Sequence, residues 1–142
     1  MRNIPYALLL LSLLSYACVD DDMSNQDTCA TNLICTEEYR VILVALETNR
    51  GAPIRLDRYT VTATETGEMV SFNSFSPFDV FDVGSYVIAE DSQLESVAMD
   101  GTAFTFEGFI DGQMLVSESF LIGHDCCHVV KLEGPDTVVV NF

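Results

Sequence analysis

Apolar and polar residues alternate along this chain mostly with the two-residue period of β-strands. Residues 39–46 are nearly all β-branched or aliphatic, which predicts a strand buried on both faces. In residues 59–64 apolar side chains alternate with threonines, which predicts a strand with one face in water. No window of useful length has helical periodicity. The pattern therefore predicts an all-β chain.

Turn residues divide the rest of the chain into short strands. Asp100-Gly101 and Asp111-Gly112 are strong hairpin signals, because a two-residue type I′ turn needs positive φ at both central positions. Gly134-Pro135-Asp136 predicts the last turn. The strands predicted between these and other turns are residues 69–72, 84–88, 102–110, 113–122, 127–133 and 137–142. Seven or eight short strands at such spacing predict a single antiparallel β-sandwich.

The first residues of the chain have the pattern of an export signal. Arg2 precedes an apolar stretch, residues 7–14, which is far shorter than the roughly 20 residues of a membrane-spanning helix. The leader ends at Ala17-Cys18, an arrangement that resembles a bacterial lipoprotein signal, and the acids that follow resemble the surface-export signal of Bacteroidota-type lipoproteins. The resemblance implies removal of residues 1–17, lipidation of Cys18 and a surface-exposed position on the outer membrane.

Composition limits the partners of this chain. It contains 22 Asp and Glu against 6 Lys and Arg, for a net charge of −16, and the leader accounts for one of the cations. Nucleic acid is excluded as a partner because affinity for phosphates requires clustered cations. An anionic lipid surface would also repel the chain, so we expect membrane attachment through the lipid alone. Residues 18–34 are predicted to form an acidic tether, and residues 35–142 are the length of one domain.

Four cysteines remain besides Cys18: Cys29, Cys35, Cys126 and Cys127. An even number in an exported chain predicts disulfides, and four cysteines allow three connectivities. Local pairing requires a bridge between sequence neighbours, which strains the peptide that joins them. The residues therefore favour two bridges that join the start of the domain to its end.

Four short motifs occur in order along the chain: Cys35-Thr36, Gly51-Ala52-Pro53, Gly84-Ser85-Tyr86-Val87 and Cys127-His128-Val129. In this order they resemble carboxypeptidase-regulatory-like and transthyretin-like domains, and the chain from residue 29 onward is similar to Bacteroidota-type surface lipoproteins. The resemblance implies an immunoglobulin-like or transthyretin-like sandwich and a Cys35–Cys127 bridge, which leaves Cys29 and Cys126 as the second pair. It carries no catalytic residues, since such domains are commonly noncatalytic accessories.

The densest cluster of potential metal ligands is residues 124–128, which contain His124, His128 and two cysteines. Zinc would use thiolates and imidazoles in tetrahedral geometry. Against zinc, adjacent cysteines on a strand point to opposite faces, and an oxidising compartment removes thiolates. We therefore expect disulfides with solvent-facing histidines and no metal. A secreted metal-binding protein that uses His124 and His128 or surface carboxylates is the alternative function.

Phenylalanines recur at every third position from residue 72 to residue 81: Phe72, Phe75, Phe78 and Phe81. One interpretation is an exposed aromatic platform that binds a protein or glycan. The other is a long loop whose rings close one end of the sandwich, since buried aromatics dominate core energetics.

Acidic residues provide a further alternative, a calcium site, among Asp79, Asp82, Glu90, Asp91, Asp100, Asp111 and Asp125. The EF-hand spacing is absent, and a solvated acidic surface is the simpler interpretation. The chain also lacks Gly-x-Ser-x-Gly and His-Glu-x-x-His motifs. The sequence therefore predicts a protein without catalytic activity or cofactor, a lipid-anchored accessory or binding module of the cell envelope for protein or glycan.

Overall fold

The structure, a computed structural model, describes residues 29–72 and 84–141. The described chain is built mostly from β-strands, as the alternation of apolar and polar residues predicts. The strands are β1 (Val41–Thr48), β2 (Arg58–Ala63), β3 (Ser85–Glu90), β4 (Thr102–Ile110), β5 (Gln113–His124), β6 (Val129–Glu133) and β7 (Thr137–Val140). A 3₁₀ helix, Asp91–Ser96, follows β3 directly.

The strands form two sheets, one with the order β3-β1-β7 and the other with the order β2-β4-β5-β6. All pairs are antiparallel except β1 with β7, which run parallel from Ala45 opposite Thr137 to Thr48 opposite Val140. The prediction of a wholly antiparallel arrangement is therefore wrong for the first sheet. The parallel pairing arises because the turn at Gly134 carries the chain from β6 in one sheet to β7 in the other.

One hydrophobic core contains buried residues from both sheets. Its largest fully buried apolar side chains are Phe106, Phe120, Leu46, Ile88 and Ile122. Burial of each large apolar side chain contributes about 1.5–3 kcal/mol relative to an exposed one. The core therefore explains why the two sheets stay together.

The predicted strand at residues 39–46 differs from β1 in position and in burial. Tyr39 is exposed, and β1 extends to Thr48. Only Val44 and Leu46 in β1 are fully buried, so the strand has one buried face and not two. The physical reason is that only one face of this sheet meets the core, and the uniformly aliphatic sequence does not distinguish the two faces.

Residues 69–72 do not form the predicted strand. Met69 makes an isolated bridge with Thr62, and Val70 N donates a hydrogen bond to Val61 O. On its other edge β2 pairs along its length with β4. A short extension of the sheet replaces the predicted strand.

Of the two Asp-Gly pairs, one forms the predicted hairpin. Asp111 and Gly112 have φ of 52° and 74° and connect β4 to β5, as the type I′ signal predicts. Asp100-Gly101 instead follows the 3₁₀ helix and leads from one sheet into the other. A glycine is required at position 101 because φ is 120° and a Cβ would lie 2.6 Å from Leu121 Cγ. The hairpin prediction at residue 100 is wrong.

Candidate functional site

Two disulfides attach the segment before β1 to the turn before β6. Cys29 is bonded to Cys126 and Cys35 to Cys127, with Cα atoms 5.6 Å and 5.3 Å apart. This is the pairing implied by the family resemblance. Because Cys29 is bonded to the domain, the last residues of the predicted tether are held against the domain and do not hang away from it.

The two adjacent cysteines lie in a tight turn and not in a strand. Cys126 has φ of 75°, and β6 begins only at Val129. Asp125 Oδ1 accepts hydrogen bonds from Cys127 N at 3.0 Å and from His128 N at 2.8 Å, which stabilises the turn. The expectation that neighbouring cysteines point to opposite faces of a strand therefore does not apply, and both sulfurs reach the same segment.

This turn places the carboxylate of Asp125 beside two backbone N–H groups. The hydrogen bonds from His128 N and Cys127 N lower its pKa, and Arg40 adds an ion pair at 3.8 Å. Arg40 and Asp125 are both substantially exposed, so the ion pair contributes little. The turn depends mainly on the two backbone hydrogen bonds.

His128 is buried, with 5% of its surface exposed. Its Nδ1 lies 2.8 Å from Asp91 Oδ2, and its Nε2 lies 3.0 Å from Thr36 Oγ1. The expectation of a solvent-facing histidine is therefore wrong for His128. The reason is long-range, since both partners come from distant parts of the chain. His124 is half-buried, and its Nδ1 accepts a hydrogen bond from Cys126 N at 3.0 Å.

Asp91 connects three parts of the chain. In addition to its contact with His128, the carboxylate of Asp91 accepts hydrogen bonds from Arg40 N at 2.7 Å and Val129 N at 2.9 Å. Burial raises the pKa of Asp91, but the hydrogen bonds from Arg40, His128 and Val129 outweigh it and leave the pKa lowered. The ionised carboxylate therefore joins the end of β3, the entry to β1 and the start of β6.

No protein-family model, curated protein or solved structure matches this chain. Within residues 29–72 and 84–141, no helix has the length and apolar character needed to cross a bilayer.

Thr36, His128 and Asp91 are connected in the order of a catalytic triad, hydroxyl to imidazole to carboxylate. Other features do not match that chemistry. The neighbouring N–H groups of Cys127 and His128 donate to Asp125, so they are not directed at a developing oxyanion. Asp91 also holds two backbone N–H groups besides the imidazole. The arrangement fits a polar connection between segments that is centred on the buried His128.

Three of the carboxylates considered for calcium, those of Glu90, Asp91 and Asp125, accept hydrogen bonds within the fold. Glu90 is 1% exposed and accepts a hydrogen bond from Ser92 Oγ at 2.8 Å, which corrects its assignment to a solvated surface. The carboxylates of Asp91 and Asp125 hold backbone N–H groups, as described above. Asp111 and Asp100 belong to the connections before β5 and β4, and Asp79 and Asp82 lie outside the described residues.

Most residues of the predicted aromatic platform, and the predicted lipidation site, lie outside the residues that the structure describes. Phe72 is half-buried and packs against the core. Phe75, Phe78 and Phe81 lie outside the described residues, and so does Cys18.

Sequence reasoning missed an exposed apolar loop between Cys29 and Cys35. Leu33 is 48% exposed and Ile34 is 94% exposed. Leu33 N donates to Ala30 O at 3.2 Å, so the loop contains a turn, and a disulfide holds it at each end. The available signal in the sequence was the short spacing between Cys29 and Cys35. Each of them was expected to bond to a distant cysteine, so the segment between them would be held at both ends.

Proposed function

We propose that the protein is a noncatalytic, lipid-anchored module of the cell surface that binds a protein partner through residues 30–34. The observation that carries this proposal is the 94% exposure of Ile34 on a loop closed by two disulfides. A large aliphatic side chain on a constrained loop loses little conformational entropy on binding, so its burial contributes more of its hydrophobic free energy to affinity. Such side chains are typical central anchors of protein interfaces.

The proposed fold of this module is a β-sandwich of transthyretin or carboxypeptidase-regulatory type. Support comes from the two sheets with a common core and from the motif order around Cys35 and Cys127. Sandwich modules present loops at their ends for binding while the sheets hold them in place.

The proposed anchor is a lipid on Cys18, and the proposed location is the outer membrane surface. From Cys18 to Cys29 the chain spans at most about 40 Å when fully extended. The loop at residues 30–34 would then stay close to the membrane surface. A partner in or on the envelope would therefore lie within a short distance of the loop.

The residues in and around the loop indicate which kind of surface the partner presents to it. Thr31 and Asn32 are polar, but the two large exposed side chains of the loop, Leu33 and Ile34, have no polar atoms and complement an apolar protein pocket better than the hydroxyl groups of a glycan. Glu37 and Glu38 are exposed next to the loop, and the whole chain carries a net charge of −16. We therefore propose a protein partner with an apolar pocket and a basic rim, because complementary charge guides association.

A catalytic role is not part of this proposal. The hydroxyl, imidazole and carboxylate of Thr36, His128 and Asp91 are used to hold segments together. Among the described residues, every buried side-chain nitrogen and oxygen has a hydrogen-bond partner. A satisfied network of this kind gives rigidity to the surface that carries the loop.

We expect metabolic labelling with a fatty acid to mark the wild-type protein, and Cys18→Ala to remove the label completely. The reason is that the cysteine sulfur is the atom lipidated in the signal that this leader resembles. Cys29→Ser is the matched control, since it removes another cysteine near the start of the chain but should keep the label. Label retained by Cys18→Ala would contradict the anchor.

A photo-crosslinking amino acid at position 34 should yield one defined protein adduct in cells that carry the protein. The same amino acid at Glu65, an exposed residue after β2, is the control and should not yield that adduct. An excess of the soluble wild-type domain should suppress the adduct, and a soluble Ile34→Asp domain should not, because a charge in an apolar pocket is costly. A glycan adduct, or equal competition by both domains, would refute the proposed protein partner.

A further inference from the structure

We propose that the Cys29–Cys126 disulfide is a redox-sensitive switch of the binding loop: residues 30–34 bind their partner while this bridge is closed and release it when a dithiol opens the bridge. The inference rests on the proposed function, since it concerns regulation of the same loop. Its basis is that the two bridges attach to neighbouring residues, Cys29 to Cys126 and Cys35 to Cys127. Residues 29–35 and 126–127 therefore form one covalent ring, and opening either bridge opens the ring.

The closed ring is what orders the binding loop. Residues 29–34 are all exposed, so little burial of side chains holds them in place. The hydrogen bond from Leu33 N to Ala30 O lies inside the loop and connects it to neither sheet. Once Cys29 is released, the covalent attachment of these residues to the domain is through Cys35. The partner would then have to order the segment again, and ordering the backbone of even one residue costs roughly 10-fold in affinity.

The rest of the domain keeps its fold when the Cys29–Cys126 bridge opens. The turn that carries Cys126 is stabilised by two backbone N–H groups that donate to Asp125 Oδ1, and these hydrogen bonds do not involve the disulfide. The Cys35–Cys127 bridge still joins the segment before β1 to the turn before β6. Opening the first bridge therefore changes the loop and leaves the surface beneath it intact.

The Cys29–Cys126 bridge is the one that a dithiol opens more easily. The two bridges have similar sequence separations, 97 and 92 residues, so they restrict the unfolded chain to a similar extent. In the folded state Cys35 precedes Thr36, whose hydroxyl lies 3.0 Å from Nε2 of the buried His128, whereas Cys29 is followed only by exposed loop residues. By thermodynamic linkage, the bridge that stabilises the fold more is itself stabilised more against reduction.

The exchange balances with a dithiol as the reductant. One thiolate of the dithiol attacks the sulfur of Cys29, which is the exposed member of the pair, and the bond to Cys126 breaks. Cys126 leaves as a thiolate and takes up a proton. The second thiolate of the dithiol then displaces Cys29 from the mixed disulfide. Two electrons and two protons pass to the protein, and the dithiol leaves as a cyclic disulfide.

The first test uses the purified oxidised domain and needs no partner. The domain is equilibrated at increasing ratios of reduced to oxidised dithiol, its free thiols are alkylated, and the modified cysteines are found by peptide mapping. Cys29 and Cys126 should become alkylated together at a ratio at least about 10-fold lower than Cys35 and Cys127. Near-ultraviolet circular dichroism should stay unchanged at that point, and the heteronuclear NOE of residues 30–34 should fall. Any other order of alkylation, or an unchanged NOE in the opened loop, would overturn the proposal.

The second test measures binding by competition with the adduct that a photo-crosslinking amino acid at position 34 forms. The opened and alkylated domain should need at least about 10-fold more protein than the untreated domain to suppress the adduct. The Cys29→Ser/Cys126→Ser domain is the matched control: it should compete as weakly as the opened domain, and dithiol with alkylation should leave its competition unchanged.

The outcomes separate this inference from the proposed function. Equal competition by the untreated and the opened domain would overturn redox control and leave the binding loop in place. The absence of any adduct at position 34 of the untreated protein would instead overturn the binding loop, and the inference with it.

Discussion

Replacing both Cys35 and Cys127 with serine should lower the free energy of unfolding by roughly 2–5 kcal/mol, the usual effect of losing a native disulfide in a small domain. Replacing both Cys29 and Cys126 should cost clearly less. The two bridges have similar sequence separations, 92 and 97 residues. The difference must therefore arise in the folded state and not from the length of the closed loop.

In the folded state the two bridges restrain different kinds of chain. Removal of Cys29–Cys126 releases residues 29–34, which are exposed, and the segment regains conformational entropy while the rest of the fold is kept. Removal of Cys35–Cys127 loosens the chain next to Thr36, whose hydroxyl contacts the buried His128. That change weakens a buried contact as well as releasing chain. Either variant still has one bridge that closes the large loop.

The measurement is urea unfolding of both double variants beside the wild type, followed by circular dichroism. Equal losses of stability in the two variants would contradict this prediction, because they would mean that the bridges act only by restricting the unfolded chain. The quadruple serine variant serves as reference, since it should lose more than either double variant.

Asp91→Ala should lower the free energy of unfolding by about 2–4 kcal/mol, because hydrogen bonds to a charged group are worth about 1.5–3 kcal/mol each and are not additive. The variant leaves Val129 N, Arg40 N and the buried imidazole of His128 without their acceptor. Glu95→Ala is the matched control, since Glu95 is an exposed acid on the same 3₁₀ helix. We expect a change within about 0.5 kcal/mol for the control.

The Asp91 effect should also depend on pH. Because the folded-state pKa of Asp91 is lowered, its contribution is fully present above the unfolded pKa of about 3.9. The contribution is lost as the pH falls through the lower folded-state pKa. Urea unfolding of wild type and Asp91→Ala at pH 6 and at successively lower pH checks this. A stability difference that stays constant far below pH 4 would show that Asp91 does not act as a carboxylate.

The sequence by itself determined the features that depend on local chemistry. A two-residue period specifies strands because successive side chains point to opposite faces, and all seven described strands fall in or near segments with that pattern or with a run of aliphatic residues. Asp111-Gly112 specifies its hairpin because few residues accept positive φ. The disulfide pairing was reached through the motifs around Cys35 and Cys127, since a linear sequence does not show which distant sulfurs meet.

Only the tertiary structure decided the features that depend on distant partners. The parallel pairing of β7 with β1 follows from where the chain crosses between sheets, and Gly101 serves contact with Leu121 and not a hairpin. His128 is buried because Asp91 and Thr36 meet its two nitrogens, and Ile34 is exposed on the loop that the two disulfides close. Local patterns do not contain these contacts, since each one joins residues that only the folded chain brings together.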